Sequence, residues 1–284
     1  MLSYRQIAPG PATAEFIHCY WLLQGTSSPL DIQRIVPDGR PELIVNLGSP
    51  FQHQRGEIWI SQPESFFVGQ ITGPMVVRPN GVANTIGVRF HPHGASSLFG
   101  IPMEELNEKT LPLCDLSPEL DRELARIKEF RSASRQIAYA DRVLQGFSLR
   151  GKCKDRIIES AVSTILSSAG LVETSELAFH LGLSTRQLQR KFKMEVGVGP
   201  KMLSRIQRFQ RVFWAVESSA DWVQVALKSG YYDQAHLIRD FRDLSGATPA
   251  ALLAPDTDLA FHFLQRTVKK GQMSQISNTA GPHA

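Results

Sequence analysis

In the N-terminal half of this 284-residue chain, His91-Pro-His93 and the pair Asp38 and Glu42 are the residues whose types and spacing could do chemistry. Two histidines one residue apart hold a transition metal only where further N, S or O ligands converge. Here Gly94-Ala-Ser-Ser-Leu-Phe follows His93, and the next carboxylate is Glu104. Pro92 and Gly94 favour a turn, so two loop histidines are the simpler reading and no metal is expected. Asp38 and Glu42 could share acid–base work. Asp38, however, lies between Pro37 and Gly39 with Pro41 beyond, the setting of a turn residue. No Gly-x-Ser-x-Gly elbow and no phosphate-cradling glycine loop occurs, so no catalytic residue, cofactor or enzyme activity is expected.

The C-terminal half offers a different chemistry, carried by arginine and glutamine. Arg190 and Arg239 stand 49 residues apart, and their neighbours repeat at that shift. Leu188 falls on Leu237, Phe192 on Phe241, Gly197 on Gly246, Pro200 on Pro249 and Leu203 on Leu252. Upstream the shift is 48, pairing Ala178 with Ala226 and Gly182 with Gly230, so the second copy carries one extra residue in its turn. Each copy reads as helix, tight turn, helix. Leu177 and Leu181 share one face of the first helix, and Gly182 supplies the turn. Ser184-Thr-Arg-Gln is a capping box, and Leu188 and Phe192 face inward at i and i+4. In the second copy, Val223 and Leu227 are expected inward, with Gly230 in the turn, Asp233 as cap, and Leu237 and Phe241 inward. Ala178 and Ala226 let the paired helices cross closely. This is the pattern of two helix-turn-helix units.

The inward sets leave outward ones: Thr185, Arg186, Gln189, Arg190 and Lys193 in the first copy, and Gln234, Ala235, Ile238, Arg239 and Arg242 in the second. Arginine can pair bidentately with guanine, and glutamine with adenine, in a major groove. A single hairpin of this kind could be an ordinary charged surface; two in register favour DNA. Between them, residues 200–217 read as one helix with Leu203, Ile206, Val212 and Phe213 inward. Pro200 suits its first turn. Eighteen residues span about 27 Å, enough to set two recognition helices roughly one DNA turn apart on one face of a duplex.

Charge follows the same division. Net charge is +4 overall, yet residues 1–150 sum to −1 and residues 151–254 to +4. Residues 184–211 alone hold eight basic side chains against Glu195, a field that attracts a polyanion. Lys201 and Arg205 within it are candidates for phosphate. Three cysteines, Cys19, Cys114 and Cys153, lie too far apart for a metal spacing and suit a reducing compartment. The N-terminus lacks signal-peptide character and no run is apolar for long enough to span a bilayer, so a cytoplasmic protein without membrane association is expected.

These C-terminal residues resemble the DNA-binding domain of the AraC/XylS family of bacterial transcription regulators. The likeness covers about residues 150–254: Glu176-Leu-Ala, Gly182-Leu-Ser, Leu188-Gln-Arg-Lys-Phe192, Gly197-Val-Gly-Pro200, Gly230-Tyr-Tyr-Asp-Gln, Arg239-Asp-Phe241 and Gly246-Ala-Thr-Pro249. The resemblance implies two helix-turn-helix subdomains joined by a linker helix, with double-stranded promoter or operator DNA as partner. It implies base or backbone contacts for Arg186, Gln189 and Arg190 in the first recognition helix, with Lys193 beside them. In the second it implies them for Gln234, Ala235 and Arg239. Ile238 replaces a more usual polar residue, and His236 could donate to phosphate or simply pack near the cap.

Residues 1–148 read as a separate domain. Glu42-Leu-Ile-Val-Asn, Glu57-Ile-Trp-Ile, Phe66-Phe-Val-Gly, Met75-Val-Val-Arg and Thr85-Ile-Gly-Val-Arg-Phe are strand-like, with turn residues between them. A small antiparallel β-barrel or sandwich is expected. Helices at about 118–129 and 132–146 follow, with stripes Leu120, Leu124, Ile127 and Ile137, Val143, Leu144, Phe147 as core or a dimer face. Trp21, Trp59, Phe66 and Phe67 could line an apolar pocket, although core is the commoner place for such residues. The stretch Ile35-Val-Pro-Asp-Gly-Arg-Pro-Glu-Leu-Ile-Val-Asn-Leu-Gly resembles cupin-like sensor domains attached to one branch of the same family. That likeness implies a sensor role for a small-molecule effector.

The expected fold is thus α+β and multidomain: a cupin-like β-barrel or sandwich with helices at 1–148, an all-α DNA-binding domain at 150–254, and a disordered tail at 267–284. The expected function is sequence-specific transcription regulation, with a homodimer and RNA polymerase as further possible partners. Two alternatives are an enzyme carrying a DNA-binding domain, favoured by a polar cluster in an N-terminal pocket, and an architectural DNA binder that bends DNA without sequence preference.

Overall fold

The computed structural model describes residues 2–26, 28, 30–150, 155–217 and 221–252. Cys153 and the tail expected at 267–284 lie outside the described residues.

Ten strands build the N-terminal half: β1 Leu2–Ile7, β2 Ile17–Thr26, β3 Gln33–Ile35, β4 Glu42–Asn46, β5 Gln52–Arg55, β6 Ile58–Ser61, β7 Ser65–Val68, β8 Met75–Arg78, β9 Val82–Phe90 and β10 Thr110–Pro112. They form two antiparallel sheets, ordered β1-β2-β9-β4-β7-β10 and β3-β8-β5-β6. The larger sheet is buried on both faces. Tyr20, Leu22, Leu43, Val45, Ile86 and Val88 meet the helices that follow. Trp21 and Leu23, on the alternate positions of β2, meet Phe51, just before β5, and Val77 of the smaller sheet. The sandwich expected from the sequence is therefore present. β2, the longest strand, lacks apolar–polar alternation because neither of its faces is in water.

A short helix α1 (Ser96–Phe99), a 3-10 turn at Met103–Leu106 and α2 (Leu113–Leu116) lead to α3 (Pro118–Ala125), continued by a 3-10 turn at Arg126–Glu129, and α4 (Ala133–Arg150). Ser117 caps α3, and Pro118 takes the first turn, where no amide donor is missed. Leu120, Leu124 and Ile127 from the first stripe, and Ile137 and Leu144 from the second, are buried in the core. Val143 and Phe147 pack against it. The stripes are core.

The C-terminal half is helical: α5 Arg156–Ser167, α6 Thr174–His180, α7 Thr185–Val196, α8 Pro200–Glu217, α9 Trp222–Lys228, α10 Gln234–Ser245 and α11 Pro249–Leu252. Ile158, Val162, Leu177, Ala178, Leu188 and Phe192 make one core. Phe209, Phe213, Val225, Ala226, Leu237 and Phe241 make a second. The α8 helix joins them, giving Leu203 to the first and Ile206, Phe209, Val212 and Phe213 to the second. The rings of Phe209, Phe213 and Phe241 lie 4.7–5.7 Å apart by centroid.

One inward face was misassigned from the sequence. Val223 and Leu227 are 50% and 54% exposed. Trp222, Val225 and Ala226 face the core instead, an i, i+3, i+4 set. Asp221 fixes this phase by accepting the Val223 amide as N-cap. Leu181 of the first copy is replaced at the equivalent place by Ser229, which is fully buried.

Candidate nucleic-acid interface

The two recognition helices, α7 and α10, begin alike. Ser184 accepts from the Gln187 amide while the Gln187 side chain accepts from the Ser184 amide, the reciprocal capping box expected. Asp233 accepts from the His236 amide at 2.7 Å. Gly182 and Gly230 turn the chain into each helix with φ of +67° and +82°, conformations that L side chains rarely adopt. Leu188 with Phe192, and Leu237 with Phe241, anchor each helix, so its orientation is set by its subdomain core.

Arg186, Arg190 and Lys193 on α7 are exposed, as are Gln234, Ala235 and Arg239 on α10. Neither Arg186, Arg190 nor Arg239 forms an ion pair among the described residues, so their guanidinium groups are available to an anion or a base edge. Three residues of the set are engaged within the protein. A Cβ on Gly199 would lie 2.4 Å from Gln189 Nε2, so the Gln189 side chain folds over the turn between α7 and α8. The His236 ring packs edge-on against Tyr231 at 5.2 Å between centroids. Lys193 Nζ is 3.5 Å from Glu104 Oε2 of the N-terminal half.

The basic run at 184–211 divides in the same way. Lys191 pairs with Asp155, the N-cap of α5, at 2.5 Å. Arg208 donates to Gly170 O at 3.2 Å and lies over the Tyr231 ring. Arg205, assigned from the sequence to phosphate, is held by Asp240 and Asp243 of α10 at 2.7 and 2.5 Å. Its charge works inside the fold, because burial of Asp240 demands a partner. Lys201 remains exposed.

In the N-terminal half, Trp21 forms part of the wall of a cavity between the sheets, whereas Phe66 and Phe67 are core and Trp59 lies under the Arg78 guanidinium at 4.3 Å. The cavity holds a polar cluster that the sequence did not disclose as one: Asp38, Arg40, Glu42 and Arg89. Arg89 Nε lies 2.5 Å from Glu42 Oε1 and 3.4 Å from Asp38 Oδ2. Burial works against its charge, but the two carboxylates outweigh it and hold it well above its ordinary range. Burial raises Glu42 despite Arg89, and lowers Arg40. Asp38 Oδ1 also accepts the Arg40 amide, the turn role expected of it. Because Arg89 engages both carboxylates, Asp38 and Glu42 form no free acid–base couple. A buried arginine within the apolar run Ile86-Gly-Val-Arg-Phe was the signal for it.

His91 and His93 stack at the end of β9, where Gly94 N donates to His91 O in a turn. His91 is pushed down to about 4 by burial and then by Arg40 and His93, opposed by its bond to Ala14 O. Among the described residues, no three His, Cys, Asp or Glu side chains converge as a metal would require.

A family model described as a helix-turn-helix domain matches residues 177–254, the segment that contains both capped recognition helices. The chain carries a helix-turn-helix DNA-binding domain. It is a DNA-binding transcription regulator. Ahead of this helix-turn-helix domain, a second model, a domain of unknown function (DUF6597), matches residues 5–112, the two-sheet region. Among solved structures, ToxT from Vibrio cholerae is similar at 11% identity, over 78% of this chain and 95% of that one, with a TM-score of 0.43. ToxT with a bound unsaturated fatty acid aligns at 10% identity over 91% and 96%, TM-score 0.43. An AraC-type regulator from Chromobacterium violaceum aligns at 25% identity over 36% of this chain and 96% of that one, TM-score 0.32. A search of curated proteins finds no match. No helix among the described residues is long and apolar enough to cross a membrane.

Proposed function

We propose that the AraC-type domain, residues 150–254, reads two adjacent major-groove segments of a promoter with α7 and α10. Arg186, Arg190 and Lys193 would serve the first segment, and Gln234, Ala235 and Arg239 the second. The observation that carries this reading is the pair of like-capped helices, each with an exposed and unpaired arginine in its outward face. Gln189 and His236 would take secondary parts, since both already have contacts within the protein, and Lys193 would give up its Glu104 partner for the DNA. Residues 1–148 would control this domain through a small-molecule effector or through homodimer formation, and the bound regulator would touch RNA polymerase from the cytoplasm. The contacts between the halves support such control. Asn107 Nδ2 donates to Gly197 O at the end of α7, and Val36 lies in the second helical core.

Selection of genomic DNA fragments by the purified protein at near-physiological salt, followed by sequencing, tests the reading. Two short conserved blocks about one helical turn apart are expected. Enrichment of a single block would reduce the protein to one reader. No enrichment, by either the full chain or residues 150–254, would overturn the proposal.

A further inference from the structure

The cavity between the sheets measures about 120 Å³ and is lined by Trp21, Leu23, Phe51, Met75 and Val77 on its apolar side. On its polar side, most groups have partners within the protein. Glu42 Oε1 accepts from both Arg89 Nε and Trp21 Nε1, and Asn46 Oδ1 accepts from the Thr85 hydroxyl. Arg40 is the exception. Its Nε is shielded from solvent and has no acceptor, while its Nη1 reaches only Asp38 O, at 3.4 Å. Both carboxylates of the cluster are committed to Arg89, so no ion pair with Arg40 forms among the described residues. A shielded guanidinium donor left unmet is costly unless something supplies an acceptor, and an anionic oxygen is the strongest one available.

We propose that this cavity binds a small organic carboxylate, with the carboxylate on Arg40 and the apolar body against Trp21, Leu23 and Phe51. The volume sets the size. A cavity of ~150 Å³ takes a benzene ring, so at about 120 Å³ this one takes a small acid at most, with hexanoate and benzoate (its carboxylate at the polar mouth) as the upper bound, and excludes a long acyl chain. The site also reaches the helical half. Gln210 of α8 lines the cavity and donates to Pro37 O at 2.7 Å, and Gln207 Nε2 lies 3.4 Å from Asp38 O, the carbonyl that Arg40 also approaches. Drawing Arg40 onto a ligand therefore bears directly on the loop that α8 holds. This regulatory part rests on the proposed control of the AraC-type domain by residues 1–148.

Titration calorimetry of the full chain with benzoate and hexanoate, each against its uncharged amide, tests the site. At least one acid is expected to bind tenfold or more tightly than its amide, and palmitate more weakly than hexanoate. Arg40→Met is expected to bring the acid-to-amide ratio close to one, with folding checked by circular dichroism. The wild-type comparison stands alone if that variant does not fold. Equal affinity of acid and amide, or binding of neither, overturns the proposal and leaves Arg40 to water. On the same preparation, affinity for a selected DNA duplex is measured with and without the acid. A change of about fivefold or more, mirrored in the acid's affinity when DNA is present, is expected. Acid binding with no DNA binding would sink the regulator reading and keep the site. DNA binding with no acid preference would do the reverse. Acid binding with unchanged DNA affinity would remove the regulatory part.

Discussion

Arg205 Nε lies 2.7 Å from Asp240 Oδ1, so the linker helix α8 and the recognition helix α10 are tied by an ion pair across their packed surface. Asp240 is 4% exposed, and Asp243 holds the other end of the same guanidinium. The pair sets where α10 sits relative to α8, and with it the spacing between the two recognition helices.

Removing that tie should cost stability and leave the salt response alone. Arg205→Ala strands a buried carboxylate. The expected loss is about 2–3 kcal/mol, below the ~3–5 kcal/mol of a fully buried pair because Arg205 is a quarter exposed. Urea denaturation measures it. The slope of DNA affinity against salt should stay at the wild-type value, whereas Lys201→Ala, an exposed cation, should flatten it by about 0.9 if it meets one phosphate. A flattened slope in Arg205→Ala would return that residue to the phosphate role.

The recognition helices themselves should show a graded response. Arg186→Ala, Arg190→Ala and Arg239→Ala are each expected to weaken specific binding by about 1–3 kcal/mol and to relax base preference at one position. Gln189→Ala should weaken it less, since that side chain already lies over Gly199. Competition binding on single-base operator variants separates these cases. Unchanged affinity in all three arginine variants would remove the recognition-helix assignment.

Much of this arrangement was legible in the sequence, and the misreadings have a common cause. Repeat spacing, capping residues and turn glycines are local signals, and the bounds expected for the linker helix, 200–217, match α8. Strands β4 and β8 were visible as apolar runs with turn residues on either side. β2 was not, because it packs between the helices and the smaller sheet and so shows no alternation. The inward face of α9 was misjudged because the apolar residues Val223 and Leu227 outweighed the small Ala226, although Ala226 holds the place of buried Ala178. Arg205 was misassigned because charge counts do not tell a cation facing solvent from one paired across a helix interface. The cavity cluster joins residues from β4, β9 and the loop before β4, a convergence that only tertiary structure reveals.

His91 should make the fold sensitive to acid. Its value in the folded chain is about 4, against 6.5 for the free side chain, because burial and Arg40 oppose its charge. The unfolded chain therefore takes up the proton first. The contribution of neutral His91 is complete above pH 6.5 and is lost as pH falls towards 4. Between pH 6.5 and 5 this amounts to about 2 kcal/mol at most, reduced by whatever solvent reaches the ring. Stability measured over that interval should fall more steeply in the wild type than in His91→Gln. Parallel curves would show that the imidazole keeps its ordinary value in the fold.

The contact between the halves should be breakable at Gly39. Its φ is +78°, and a Cβ there would stand 2.7 Å from Leu203 Cδ1 and 3.3 Å from Gln207 Nε2 on α8. Gly39→Ala thus meets two penalties, a left-handed backbone and a clash with the linker helix, worth together about 1–3 kcal/mol. The neighbouring carbonyls of Pro37 and Asp38 rely on Gln210 and Gln207 of the same helix, so the strain relaxes most easily by moving the loop off α8. Calorimetry is expected to show the wild-type melt broadening or splitting in the variant as the β-rich and helical halves uncouple. A single transition at the wild-type temperature would mean that the loop absorbs the methyl group without yielding its hold on the helix.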